Sequence, residues 1–549
     1  IGISLLLSWV LAITVTPLLG HYFFKQGEEG GKDAYDGFLF RAYASLLRLA
    51  LKLRWLVIPG LIAITVACFA GFGLIKQQFF PNSNTPLFFV HYKLPQGASI
   101  TQTSDDLREV EAWLAERDDV VSATTFVGQG ATRFMLTYSA EKPNPSYGHI
   151  IIRTEALEQI PALQADLEAF GRAAFPEAEF RTRRLVFGPG GGDPIEVRFS
   201  GSDPDVLRDL GAQAIAVMRD ASDNIIDPRT NWREKELVLK PLYASERAQT
   251  AGVDREDIAT TLRFATDGIA GGVYREDDRL IPIIVRAPES AGLSLLDQVV
   301  FSETAGEFLP IEQVLDGLTY EPQNTLAHRR DRLLTLTVGA DIPVELTAAQ
   351  VHAEVRAAVE DIPLPPGVRM AWGGEFENSA DAQESLAGQL PLSLIVMVLI
   401  SVLLFNALRQ PIIIWLLVPM SVNGVVLGLL FTGLPFTFTA LLGLLSLSGM
   451  LIKNGIVLVE EIDITRREGM ELREAIVTAC TSRLRPVILA AGTTILGMAP
   501  LLTDAFFVSM AVTIMGGLAF ASILTLIAAP VFYYVFFARS ERAAVATAT

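Results

Sequence analysis

Cysteine and histidine are nearly missing from this chain: its 549 residues hold two cysteines, Cys68 and Cys480, and five histidines. Both thiols fall in or beside hydrophobic runs, so the long polar block between those runs has no disulfide and must be held by packed cores. His91, His149, His328 and His352 show no metal-ligand spacing, and surface or core roles suit them. A phosphate loop, a nucleophile elbow and a zinc motif are also lacking. Gly188–Gly192 reads as a linker, because it has neither the glycine spacing nor the following lysine of a nucleotide site. No enzyme class, cofactor, metal or nucleic-acid partner is expected.

Apolar surface is what the chain has in quantity. Half of its residues are hydrophobic while acids outnumber bases by 61 to 44, a balance that requires strongly apolar blocks beside an acidic, soluble one. Seven stretches can span a bilayer: Ile1 to about Phe24, Trp55 to Ile75, Leu390 to Leu408, Pro411 to Phe431, Thr437 to Val459, Pro486 to Leu502, and Met510 to Phe537. If every one crosses, Lys25, Lys32, Arg41, Arg48, Lys52 and Arg54 share one side with Arg409, Arg466, Arg467, Arg473, Arg483, Arg485, Arg539 and Arg542. That side is cytoplasmic, which puts Lys76–Gln389 outside. Residue 1 is an isoleucine inside a hydrophobic run, with no initiator methionine and no basic leader, so the chain is expected to begin mid-protein. In the first linker, Phe38, Tyr43, Leu46, Leu47 and Leu51 oppose Arg41, Arg48 and Lys52, which suits a helix lying in the membrane interface.

The outer block alternates strand and helix patterns. Strand Leu87–Leu94 leads to a helix from Ser99, a candidate N-cap, to about Arg117, then to strands Val120–Val127, Arg133–Ser139 and Gly148–Thr154. Helix Leu157–Phe175 and strand Ala178–Phe187 close the unit. A second unit opens with strand Pro194–Gly201 and helix Pro204–Arg219, with strands reaching Leu239. Helical pieces Ala244–Ala251 and Arg255–Thr266 precede a strand-rich insertion from about Gly271 to Leu309. Strand Leu333–Ala340, helix Ala348–Val359 and strand Val368–Trp372 then return the chain to the membrane. The pattern predicts paired α+β sandwiches carrying a β insertion.

Lys453 lies inside the apolar run Thr437–Val459, where an ammonium group costs roughly 2.5–3.5 kcal/mol at a bilayer centre. Asn454 follows it, and Glu460 comes two helical turns later on the same face. An ion or proton pathway with an acidic partner on a neighbouring helix accounts for such a charge. A snorkelling lysine is the alternative, and the apolar helix on its nearer side argues against it.

Four segments carry a family resemblance: FFPNSNTPLFFVHYKLPQGAS after the second span, GPGGGDPIEVRFSG at the subdomain junction, GMLIKNGIVLVEE around Lys453, and RLRPVILAAGTTILGMAPL in the next span. With their order and spacing, the chain from residue 1 to about 539 resembles the second half of a resistance-nodulation-division (RND) efflux permease of the hydrophobe/amphiphile branch, preceded by the last helix of the first half. The resemblance implies a multi-span α-helical membrane protein with a large exported α+β domain, made of ferredoxin-like porter subdomains and a β-rich docking insertion. On that pattern residues 1–24 and 55–76 are transmembrane helices and 25–54 a cytoplasmic linker. Residues 77–187 form one porter subdomain, 193–241 with 324–389 a second, and about 242–323 the docking insertion. Five helices occupy 390–538 and a cytoplasmic tail 539–549.

The implied activity is proton-driven antiport by a homotrimer in the bacterial inner membrane, working with a periplasmic adaptor and an outer-membrane channel. In the family the lysine matching Lys453 pairs with two aspartates on a helix of the first half. That helix would precede Ile1, so the first half of the same protein is an expected partner. Asn454 completes the Lys-Asn motif. Arg483 matches an arginine at the start of the next span and either gates proton release or anchors the helix on the positive side. Where the family often has threonine this chain has Ala490, with Thr493 and Thr494 a turn further on; either hydroxyl substitutes, or both simply bond their own helix backbone. Phe126, Arg133, Phe134 and Met135 fall where the family carries a glycine-rich switch loop beside its substrate pocket, although Phe134 and Met135 suit the start of a core strand equally well. The heavy-metal branch uses a methionine cluster there, whereas Met135, Met218 and Met370 are scattered through this block. The expected cargo is therefore drugs, biocides or detergents. Alternatives are an RND-like assembly or protein-export factor, a regulatory pseudo-transporter, and a heavy-metal exporter. The first has no use for a lysine facing acids.

Overall fold

The alternation in LFFVHYK sends Phe88, Val90 and Tyr92 to one face of strand β1 (Leu87–Lys93), and all three are buried there. A computed structural model describes residues 2–23, 37–135, 137–188, 192–287 and 295–548, so Lys25, Lys32 and the centre of the Gly188–Gly192 linker lie outside the described residues. Chain order locates the elements. A membrane helix α1 (Gly2–Phe23), a short amphipathic helix α2 (Phe38–Lys52) and a second membrane helix α3 (Arg54–Phe72) precede β1. Helix α4 (Ile100–Ala115) follows, and Ser99 caps it by accepting a bond from the Gln102 amide at 3.2 Å. Thr103, Leu107, Val110 and Leu114 recur at helical spacing and are its buried face. Strands β2 (Val120–Val127) and β3 (Tyr147–Thr154), helix α5 (Ile160–Ala174) and strand β4 (Glu179–Arg184) complete a βαββαβ unit. Its antiparallel sheet runs β2-β3-β1-β4, with both helices packed on the Phe88, Val90 and Tyr92 face.

The second unit repeats the plan with a long interruption. Strand β5 (Ile195–Gly201), helix α6 (Pro204–Ala221, capped by Asp203) and strand β6 (Ile226–Thr230) form its first half. The interruption contains β7 (Glu236–Tyr243), α7 (Ser245–Thr250), α8 (Arg255–Ala265), the hairpin β8 (Ile269–Glu276) and β9 (Arg279–Val285), then β10 (Val299–Ser302), β11 (Glu307–Pro310) and β12 (Leu315–Gln323). β12 returns antiparallel to β7 and closes the insertion at its stem. After the short β13 (Arg329–Arg330) come β14 (Leu333–Asp341), α9 (Ala348–Glu360) and β15 (Arg369–Gly373). β14 lies between β5 and β6, and β15 pairs with β5, so the strand order matches that of the first unit.

Where strand Arg133–Ser139 is expected from its alternation, the described residues form a loop. Tyr138 and Met135 pack down on Phe89, so the apolar alternation is satisfied on the face of the sheet instead of at its edge.

Seven helices among the described residues are long and apolar enough to cross a membrane. After α1 and α3 they are α10 (Gly374–Phe405), the broken pair α11 (Arg409–Trp415) and α12 (Ser421–Thr432), α13 (Phe438–Arg467), α14 (Leu472–Met498) and α15 (Val508–Ala548). α10 begins well before the apolar run at Leu390 and starts directly from the last strand of the second sheet. Gly374 makes that corner at φ +62°, and a Cβ there would come within 2.5 Å of the Asp193 carbonyl oxygen. α12 and α15 touch through glycine, since a Cβ on Gly424 would lie 2.4 Å from the Gly516 oxygen. The amphipathic α2 buries Leu47, Ala50 and Leu51 against this bundle, and its Tyr43 hydroxyl donates to the Leu526 carbonyl at 2.8 Å.

Candidate functional site

Helix α13 owes its start to Thr437, whose hydroxyl accepts a bond from the Ala440 amide at 3.2 Å. Gly443, Leu447, Leu451, Gly455, Leu458 and Ile462 form its buried face. Lys453 falls on the opposite, uncovered face, with Asn454 half-buried beside it. Among the described residues Lys453 has neither an ion pair nor a hydrogen bond. Arg483 on α14 is differently placed: its guanidinium pairs with Glu461 at 2.5 Å, and Ser482 donates to the same carboxylate at 3.3 Å. Eight residues, about 12 Å of helix, separate Glu461 from Lys453. The Thr493 hydroxyl donates to the Leu489 carbonyl at 2.9 Å, and that of Thr494 to Ala490 at the same distance. The five residues expected to form a relay are thus three separate local arrangements in this chain. Composition did not single out Glu461, nor Asp463, which accepts bonds from Gln410 at 3.1 Å and from the Tyr533 hydroxyl.

A second site lies between the two sheets. Each carries helices on one face only, and the bare faces enclose a cavity of about 590 Å³. On the first sheet, register puts Phe126, His149, His91 and Arg181 in one row across β2, β3, β1 and β4. Ile151, Phe89 and Arg183 form the row on one side of it, and Tyr147, Lys93 and Glu179 the row on the other. The loop after β2 covers part of this face. Its Ala131 amide bonds His149 Nδ1 at 3.4 Å, and the Tyr138 ring lies 5.7 Å from Phe89. Phe126 packs beneath that loop and Met135 packs down from it, Phe134 stands half exposed 4.9 Å from Tyr138, and Arg133 donates to the Met135 carbonyl at 3.4 Å. All four sequence-predicted pocket residues therefore gather at one place, but none of them lines the cavity. The cavity wall itself is made by Phe89, Tyr138 and charged side chains that alternation alone did not mark.

Those charges join the two sheets. Arg181 of the first sheet reaches Asp341 at the end of β14 at 3.2 Å, and Arg229 of the second reaches Glu179 at 3.4 Å and Asp341 at 2.9 Å. Asp193, in the connection between the units, pairs with both Arg181 and Arg229. Burial opposes charge on Arg181, but Asp341, Asp193 and Glu179 more than offset it and hold its pKa above the ordinary value. Burial likewise opposes charge on Asp193, and Arg229, Arg183 and Arg181 nonetheless hold it down to about 2. Burial keeps both histidines neutral: it takes His149 down to about 4, and it lowers His91 strongly with help from Arg181. Among the described residues no three His, Cys, Asp or Glu side chains come together as a metal would need. Cys68 and Cys480 are free and buried, as their positions in the sequence suggest.

The sequence profile of the AcrB/AcrD/AcrF family matches residues 1–537. The chain is similar to the cobalt-zinc-cadmium resistance protein CzcA of Cupriavidus metallidurans, with 24% identity over 97% of this chain and 52% of that protein. It is similar to protein HelA of Legionella pneumophila, at 24% over 98% of this chain and 53% of that one. To the swarming motility protein SwrC of Bacillus subtilis the figures are 22%, 97% and 51%. The chain spans about half the length of the curated relatives it matches. Among solved structures, a heavy metal efflux pump superposes with a TM-score of 0.72 at 20% identity, over 91% of this chain and 52% of that one.

Proposed function

The chain belongs to the AcrB/AcrD/AcrF family of RND permeases, and from that premise we propose that it works as a proton-driven exporter in the bacterial inner membrane, its two-sheet block on the periplasmic side. Lys453 carries this reading. An ammonium in mid-span on an uncovered helix face calls for carboxylates from further helices, and protonating those acids would strip it of counter-charge. The lysine must then move or be restabilised, which converts a proton into a shift of α13. α10 runs continuously from the bilayer to β15, so motion of the bundle reaches the wall of the cleft through one helix. Asn454 flanks the lysine, Arg483 gates release beside Glu461, and the Thr493 and Thr494 hydroxyls retain lone pairs to receive a relayed proton.

The cargo in this reading is hydrophobic or amphiphilic organic compounds, taken up at Phe126, Arg133, Phe134 and Met135 and the cleft they border. The protein acts as a homotrimer with an adaptor and an outer-membrane channel. In the full-length protein, Lys453→Met should abolish export of lipophilic biocides while abundance stays near normal, because the replacement removes a charge the bilayer disfavours. Wild-type tolerance in that variant would sink the coupling role. A second reading, export of divalent metal ions, is favoured by the names of CzcA and of the superposed pump. Tolerance to cobalt, zinc and cadmium, measured beside the biocides in the same cells, decides between the two.

A further inference from the structure

The two ends of the cleft differ in chemistry. Where it meets the membrane helices its floor is aromatic: Phe79 and Phe80 lie 4.5 Å apart, Phe80 stacks on Phe506 at 5.8 Å, and Phe187 meets Phe506 edge-on at 5.6 Å. Phe506 sits just ahead of α15, which fixes this end at the bilayer. Glu375, whose carboxylate accepts the Phe79 amide at 2.9 Å, is the acid at this end.

The far end is basic. Lys93, Lys142, Arg233 and His328 line it, against Glu141 within the cavity, Glu234 beside Arg233, and Glu179, which sits opposite Lys93 in the sheet but is tied to Arg181 and Arg229. Most charges elsewhere in the cleft cancel; the exception is Arg184, toward the aromatic end, which reaches the Ser83 carbonyl at 3.5 Å and has no carboxylate bonded to it among the described residues. The arginines at 181, 183 and 229 are matched by Glu179, Asp193 and Asp341, and Arg198 by Glu196 and Glu377. Lys93 is matched by Glu141 at 3.5 Å. Two cations at the basic end have no carboxylate bonded to them among the described residues. Lys142 is exposed to the cavity mouth. Arg233 is held by neutral acceptors alone: Gln96 at 3.1 Å, the Ser146 hydroxyl at 3.0 Å and the Leu94 carbonyl. It adopts φ +54° to do so. Burial pulls its pKa below the ordinary value, the condition that a bound anion would relieve. This surplus of positive charge occurs in a chain whose formal net charge is −17.

Resting on the export reading above, we infer that the cleft selects amphiphiles with a negatively charged head, a sulfate or carboxylate, seated against Lys142 and Arg233 with the tail running toward Phe80 and Phe187. β1 alone spans seven residues, about 20 Å of cleft wall, which accommodates an extended dodecyl chain between the two ends. A metal cation, or an amphiphile with a quaternary ammonium head, meets the wrong charge at the same place.

The test uses three surfactants that share a dodecyl tail: dodecyl sulfate, dodecyltrimethylammonium and dodecyl maltoside. Efflux-deficient cells expressing the full-length protein should gain more tolerance to the sulfate than to the ammonium. Lys142→Gln, and the double variant with Arg233→Gln, should lower the ratio of sulfate to ammonium tolerance by about fivefold or more, the size expected for losing a partly exposed charge pair. Lys142→Gln alters an exposed side chain, so normal abundance on immunoblots keeps the result readable even where Arg233→Gln impairs folding. Equal tolerance to both heads, preference for the ammonium, or an unchanged ratio in an abundant Lys142→Gln protein would overturn the inference and leave export standing. If the wild type protects against none of the three surfactants, the export of organic amphiphiles fails, and this inference with it.

Discussion

His149 shows how far one side chain can depart from its spacing in the sequence. Read along the chain it has no ligand pattern and suits a surface or a core role; in the fold it is fully buried amid Phe89, Phe126, Tyr138, Tyr147 and His91. Its Nδ1 accepts the Ala131 amide, so the ring is neutral with the proton on Nε2, an atom that has no hydrogen-bond partner among the described residues. Burial lowers its pKa from 6.5 to about 4, and Glu141 pushes only weakly the other way. The unfolded chain therefore binds a proton below pH 6.5 that the folded chain refuses until about pH 4. Stability is full above that window and is lost as pH falls through it, by on the order of 2 kcal/mol at pH 5. Thermal unfolding in detergent should show the wild-type midpoint dropping further between pH 7.5 and pH 5 than that of His149→Phe, which keeps a ring and removes the titration. Parallel drops would mean that His149 is not the group refusing the proton. Lys453 is the contrasting case. Its oddity is visible in sequence because an apolar run advertises any charge, whereas an apolar partner for a histidine becomes apparent only when β1, β2 and β3 are laid side by side.

At the scale of elements, legibility followed local chemistry. The α4 cap at Ser99 and the matching strand and helix patterns of the two units could be read because caps and periodicity act within a few residues. Helix ends near the membrane were harder. Hydropathy stops at the first acids before Leu390, but backbone hydrogen bonding does not, so α10 extends through Glu375, Glu377, Asp381 and Glu384 back to the last strand. The sequence reading also passed over the glycines joining α12 to α15, since nothing in a single helix announces which face a neighbour approaches. Gly424 is the tightest of them, with Gly516 oxygen 2.4 Å from the Cβ it lacks and Phe520 Cβ at 2.7 Å. Gly424→Leu should force the two helices apart, at a cost of about 1–3 kcal/mol or more for overpacking a filled contact. A lowered unfolding temperature and reduced membrane abundance are expected. The control Gly60→Leu, at a glycine of α3 with nothing within 4 Å of the Cβ it lacks, should change neither. Equal effects of the two substitutions would show that close approach is not what Gly424 provides.

For the whole molecule the informative feature is a surface left open among the described residues. The β8–β9 hairpin projects from the insertion with Val273, Tyr274, Leu280, Ile283 and Ile284 each at least half exposed. A two-stranded ribbon is marginal in water by itself, and a contiguous apolar stretch of this kind is normally buried against something. In the assembly proposed above the occupant is a second copy of the same chain, and closing a ring of copies requires each to offer an arm and accept one. Replacing Val273 and Ile283 together by glutamate should leave the fold intact, because both side chains already face outward. Losing two anchoring aliphatic side chains should weaken self-association on the order of a hundredfold. Native mass spectrometry of the full-length protein in detergent would then report monomers where the wild type gives an oligomer, with export lost in parallel. An unchanged oligomer in the double variant would mean that the hairpin is not the arm that joins the copies and that another partner covers it.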